Sequence, residues 1–166
     1  MKTETFLFSI LFAICLSDEL LDDCHKICQS RVPCWDGWTY YSHTRSCYRV
    51  YHNMNWFQAA DYCRSLGANL TSIHGNHENS FVGRVAYNGD GDARTWVGGF
   101  YFGGEYNWND GTEMDFTNWR FDFEEKDEAY PCVSIENFKC TNKIKWLNDD
   151  CYRQLRTFVC KRPAFF

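Results

Sequence analysis

The chain has 166 residues, 45% apolar and 23% charged, with a formal net charge of −5. These proportions belong to an ordinary globular domain and exclude a disordered chain, a collagen or a coiled coil; the acidic balance argues against nucleic acid as the main partner. Ten cysteines, 19% aromatic residues and only three prolines leave no proline-rich linker and make the compartment of the cysteines the first question.

The N-terminus answers it. Lys2 gives a short basic start, Phe6 to Leu16 is an apolar run, and Ser17 precedes the acidic stretch Asp18 to Asp23. This is the layout of a secretory signal peptide, too short to span a bilayer. Residues 1–17 are therefore expected to be a removable signal. Residues 18–33 form an acidic, Cys-bearing segment short enough to be trimmed as a propeptide, and residues 34–166 form one domain. No later apolar run reaches the ~18 residues of a membrane span. A secreted, extracellular location makes the cysteines candidates for disulfides. Cys15 leaves with the signal, so Cys24, Cys28, Cys34, Cys47, Cys63, Cys132, Cys140, Cys151 and Cys160 remain. Their number is odd, so at least one thiol is free or bonds another chain. Zinc is disfavoured because Cys24, Cys28 and Cys34 lack the paired CxxC spacing.

Trp38 to Tyr41 and Ser46 to Tyr51 read as strands around a turn. Asn55 caps a helix from Trp56 to Leu66, whose residues Trp56, Ala59, Ala60, Cys63 and Leu66 share one face, and Gly67 ends it. Leu70 to Ile73 is a short strand. Asn76 caps a second helix with Phe81, Val82, Val85 and Ala86 inward, stopped at Asn88-Gly89. Thr95 to Tyr101, Glu105 to Trp108, Cys132 to Ile135, Lys143 to Trp146 and Thr157 to Arg162 are strand candidates. The Gly-, Asn- and Asp-rich stretch from Gly103 to Tyr130 is long and largely irregular, which in a compact domain points to function. The fold class is α+β.

Several motifs now carry a resemblance. Trp96-Val97-Gly98-Gly99, Trp108-Asn109-Asp110-Gly111-Thr112, Thr117-Asn118-Trp119 and Gly67 to His74 resemble, in order, segments of the C-type lectin-like domain family in its long form, and among its members the secreted fish lectins. The resemblance covers about Cys34 to Lys161. It implies two helices, small antiparallel sheets and a long irregular loop region. It also implies the bridges Cys34–Cys47, Cys63–Cys160 and Cys132–Cys151; six cysteines alone allow 15 connectivities. Closing the long Cys63–Cys160 loop is worth about 4–5 kcal/mol on chain entropy, and the shorter Cys132–Cys151 loop about 3.

Calcium-dependent members hold one Ca²⁺ through oxygen ligands, a fitting donor set for a hard cation. Carried over position by position, those ligands are degraded here. Trp146 is followed by Leu147, which has no ligand oxygen, and by neutral Asn148. Tyr130 stands two residues before Cys132, where the family has Glu. The proline-centred triplet is replaced by Asp122-Phe123-Glu124, and without proline its cis peptide costs about 3–4 kcal/mol. Trp108-Asn109-Asp110 spells the calcium motif but has no cysteine three residues on, and reads as structural. The expectation is thus no calcium and no other cofactor. Asp122, Glu124, Tyr130, Asn148 and Asp149 are expected to contact sugar directly, with Phe121, Phe123 or Tyr130 stacking on a galactose ring. The rival reading of the acidic run 122–128 is a solvated surface.

His74 to Glu78 hints at HExxH, but position 81 is Phe81, and no GxSxG or P-loop is present, so no enzyme is expected. Asn69-Leu70-Thr71 is a candidate N-glycosylation sequon, with Leu70 expected to be buried. The implied function is a carbohydrate-binding lectin for glycans with terminal galactose or lactose, agglutinating microbes by their surfaces in innate defence. The alternatives are an ice-binding protein or a toxin-like binder of proteins. Cys24 and Cys28, four residues apart, are candidates for interchain bridges of a homodimer.

Overall fold

Aromatic and β-branched residues on either side of Ser42 to Arg45 set up a hairpin. β1 (Thr39–Tyr41) runs antiparallel to β2 (Ser46–Met54), with Tyr40 opposite Cys47. The computed structural model describes residues 33–87, 94–121, 128–138 and 143–165. Cys24, Cys28, Asp122, Phe123, Glu124 and Cys140 therefore lie outside the described residues.

Helix α1 (Trp56–Ser65) starts at a reciprocal capping box. The Asn55 side chain accepts from the Gln58 N–H at 2.9 Å, and the Gln58 side chain accepts from the Asn55 N–H at 3.2 Å. Two orphan N–H groups are thereby satisfied. Trp56, Ala59, Ala60 and Cys63 form its buried face. Gly67, at φ +64°, turns the chain out of the helix, as a left-handed residue does at little cost. Strand β3 is only Asn69–Leu70, shorter than the expected Leu70 to Ile73. The Thr71 N–H still donates to Val159 of the partner strand at 2.9 Å, but its carbonyl turns away and accepts from Gly98 at 2.9 Å.

Helix α2 (Asn76–Ala86) corrects the expected cap. Gly75 is the N-cap, without a side-chain bond, and Asn76 is the first helical residue. The acid of the first turn compensates, since Glu78 Oε2 accepts the His74 N–H at 2.8 Å. Phe81, Val82 and Ala86 face the core as expected, while Val85 is half-buried.

The other strands are β4 (Arg94–Phe102), β5 (Glu105–Trp108), β6 (Cys132–Phe138), β7 (Lys143–Asp149) and β8 (Leu155–Pro163). They make one eight-stranded sheet in the order β1-β2-β8-β4-β6-β7, with β3 on β8 and β5 on β4. The described strand pairs are antiparallel except β4 with β8. One apolar cluster gathers Val82, Val97, Trp108, Val133, Trp146 and Val159 under α2. The other gathers Trp56, Ala59, Leu70, Trp96 and Phe158 under α1.

Three disulfides join Cys34 to Cys47, Cys63 to Cys160 and Cys132 to Cys151, the pairing that the resemblance implies. Cys63–Cys160 ties α1 to the central strand β8, and Cys132–Cys151 ties the start of β6 to the turn after β7.

Candidate functional site

The β6–β7 ladder brings part of the expected sugar site to one end of the sheet. Cys132 pairs with Asp149 and Val133 with Asn148, and Tyr130 lies two residues before that last rung. Tyr130 is 49% exposed, so its ring is open to a ligand. Asn148 and Asp149 are buried, at 9% and 4% exposure. Asp122 and Glu124 lie outside the described residues.

Asp149 is tethered at both carboxylate oxygens. Its Oδ2 accepts from Arg94 Nη1 at 2.8 Å and from the Ser134 hydroxyl at 3.4 Å. Its Oδ1 accepts from the Asp150 N–H at 3.1 Å and from Arg153 Nη1 at 3.3 Å. The sequence reading has this carboxylate offered to a sugar hydroxyl; the structure has it buried and spent on two guanidinium groups. Asp149 therefore positions Arg94 and Arg153 at the surface. No sequence signal marks either arginine, because their convergence depends on β4 and the turn after β7 meeting β7.

The same bonds bear on calcium. A carboxylate held between two fixed cations is a poor ligand for a third, and the neighbouring Leu147 side chain is wholly buried. Among the described residues no cluster of three His, Cys, Asp or Glu side chains is arranged to hold a metal ion.

A second polar region lies between β3, β8 and the start of α2. It is a cavity of about 520 Å³ whose walls include Asn69, Ser72, Glu78, Asp110, Lys161 and Arg162. Glu78, 4% exposed, accepts at Oε1 from the Tyr48 hydroxyl and from Lys161 Nζ, both at 2.6 Å. Lys161 also donates to the Ser72 carbonyl and hydroxyl, each at 3.2 Å. Burial first, and then the charge of Glu78, hold the Tyr48 phenol far above its ordinary range. Burial alone would raise the Asp110 carboxyl. Hydrogen bonds from Ser72 and Thr112, with the charge of Lys161, outweigh it and hold that group below its ordinary value. Trp108-Asn109-Asp110 is thus absorbed by the fold: Trp108 is 2% exposed, the Asn109 N–H donates to Gly98 at 2.9 Å, and Asp110 receives Ser72 at 2.5 Å. Asn69, the sequon residue, is partly exposed on the cavity wall, and Leu70 is buried as expected. The ion pair was not legible in advance, since Glu78 and Lys161 lie 83 residues apart.

Comparison with known proteins places this geometry. The profile described as "Lectin C-type domain" matches residues 52–162. A lectin of Pleurodeles waltl is 30% identical over 153 residues, covering 87% of this chain and 82% of its own. The galactose-specific lectin nattectin of Thalassophryne nattereri is 29% identical over 133 residues, covering 78% and 80%. The C-type lectin domain-containing protein 161 of Caenorhabditis elegans is 24% identical across 81% of this chain, which spans only 17% of that longer protein. Among solved structures, human lithostathine superposes with a TM-score of 0.69 at 25% identity, covering 81% of this chain and 94% of its own. With two helices beside one sheet, three bridges in the implied pairing and a profile match over most of its length, the chain belongs to the C-type lectin domain family.

Proposed function

We propose that the chain is a secreted lectin that binds glycans ending in galactose or lactose without calcium and cross-links the cells or microbes that carry them. Carbohydrate binding, as a non-enzymatic activity, is the function of its domain family. The galactose preference draws on the printed specificity of nattectin, a relative across most of its length. One observation supports the calcium-independent part: the Asp149 carboxylate is buried between Arg94 and Arg153, which favours binding through hydrogen bonds and ring stacking.

In this reading Tyr130 supplies a stacking surface, Asp122 and Glu124 supply acceptors, Asn148 supplies an amide, and Asp149 holds its arginines in place. No described helix is long and apolar enough to cross a membrane. Cross-linking needs two sites, and a homodimer bridged through Cys28, with Cys24 where that segment is retained, supplies them; two weak sites gain avidity by orders of magnitude. Red-cell agglutination with excess EDTA and competing sugars tests the proposal. Agglutination should persist in EDTA and stop with lactose. Loss in EDTA with recovery on adding Ca²⁺ overturns the calcium-independent reading.

A further inference from the structure

Phe57 and Tyr152 are 44% and 75% exposed, and their ring centroids stand 5.2 Å apart at an interplanar angle of 53°. Neither ring is left on a loose tether. Phe57 is the second residue of α1, behind the Asn55–Gln58 capping box. The Trp56 N–H donates to the Cys151 carbonyl at 3.0 Å, its indole N–H donates to Val97 at 2.9 Å, and Cys151 is bridged to Cys132. Tyr152 follows that bridge, and its N–H donates to Asp150 Oδ1 at 2.9 Å. The backbone under both rings is thus held by a helix cap, a disulfide and hydrogen bonds, and the rings pack on each other. Holding them there in advance removes the ordering cost that a ligand would otherwise meet.

We infer that Phe57 and Tyr152, rimmed by Asp150 and Arg153, form a second saccharide subsite that takes the apolar face of a hexose ring. The inference rests on the lectin reading above. A pyranose presents one face of C–H groups and an edge of hydroxyls, and it suits an aromatic platform beside a few polar groups. Asp150 is exposed and offers an acceptor. The Arg153 side chain is 55% exposed and uses Nη1 on Asp149, and a guanidinium carries five N–H donors. Size decides against a protein partner. A stable protein interface buries about 800 Å² per partner, whereas two aromatic side chains offer at most ~150–250 Å² each. Their exposed neighbours in the chain, Asn53, Gln58 and Gln154, are polar. The Arg153–Asp149 bond joins the turn that carries Tyr152 to the β6–β7 end, and in this proposal one oligosaccharide occupies both sites.

Titration calorimetry with lactose and with a galactose-terminated tetrasaccharide tests this on wild type, Phe57→Ala/Tyr152→Ala, Tyr152→Phe and Phe102→Ala. Phe102 is a control ring, 74% exposed on β4. Tetrasaccharide affinity should fall about tenfold in the double variant, the scale of one lost stacking contact. It should stay within about twofold in Tyr152→Phe and Phe102→Ala, with lactose affinity little changed throughout. Isotope-filtered NOEs on the wild type, with the Tyr152 ring resonances assigned, should run from that ring to tetrasaccharide C–H protons, a readout that needs no variant to fold. Equal tetrasaccharide affinity in wild type and double variant, or absence of those NOEs, overturns the subsite and leaves the lectin reading standing. A wild-type protein that captures no glycan on a broad array overturns both.

Discussion

Buried carboxylates set the chemistry at the residue scale. Asp149 faces two guanidinium groups and a hydroxyl at 4% exposure, so Asp149→Asn leaves Arg94 and Arg153 underpaired. The expected cost is about 2 kcal/mol, the scale of hydrogen bonds to a charged group, read as a lower urea midpoint at unchanged slope. An unchanged midpoint would show that the two arginines find other partners. Asp110 gives a pH dependence with a definite sign. Its folded pKa lies below the ordinary aspartate value, so its stabilising bonds are fully present above that ordinary value and are lost as pH falls through the folded pKa. Asp110→Asn should therefore show a flatter loss of melting temperature with acid in that range, checked by calorimetry from neutral pH downwards. At the proposed sugar contacts, Asp122→Ala/Glu124→Ala should weaken lactose binding about tenfold, as loss of one charge-assisted bond does, while the melting temperature holds. Unchanged affinity would return the acidic run to a solvated surface.

Among the elements, α1, α2 and the strand ends differ in how local their causes are. The start of α1 is written in four consecutive residues, Asn55 to Gln58, and the structure realises that box bond for bond. The start of α2 is not, because its compensating contact comes from Glu78 reaching back to His74 while also holding Tyr48 and Lys161. Packing of α2 on β7 hinges on Gly83, where an added Cβ would overlap the Ile144 side chain. Gly83→Ala should therefore destabilise the domain by about 1–3 kcal/mol, the usual range for overpacking, despite the better helix propensity of alanine. A stabilised variant in thermal melts would mean that Ile144 has room to move aside.

For the whole molecule, the bridge Cys63–Cys160 closes 97 residues and confines a sheet whose neighbours in space are distant in sequence. Its removal in Cys63→Ala/Cys160→Ala should cost about 4–5 kcal/mol on chain entropy and leave little folded protein at body temperature. Assembly is tested with two gels: the proposed dimer should run near twice the monomer mass without reductant and at monomer mass with it. Cys24→Ser/Cys28→Ser should then yield a monomer that still binds lactose but agglutinates poorly. A native chain that runs as a monomer without reductant sinks the covalent dimer.

Local chemistry explains what the sequence by itself determined. Hydrophobic spacing, the Asn55 cap and Gly67 set both helices to within a residue or two, because these signals act over one or two turns of chain. The ordered motifs and cysteines identified the family and, through it, the bridges. The parallel pairing of β4 with β8 and the shortening of β3 were decided only in three dimensions, where the Thr71 carbonyl turns from β8 to accept from Gly98. The same holds for the site. Sequence marks Asp149 as a carboxylate near a bridge cysteine, but whether it meets a ligand or an arginine depends on Arg94, 55 residues away. Nor does sequence distinguish Trp56, which is buried, from Phe57 beside it, which is exposed next to Tyr152. Burial and ion pairing are sums over neighbours drawn from the whole chain, and only the tertiary structure performs that sum.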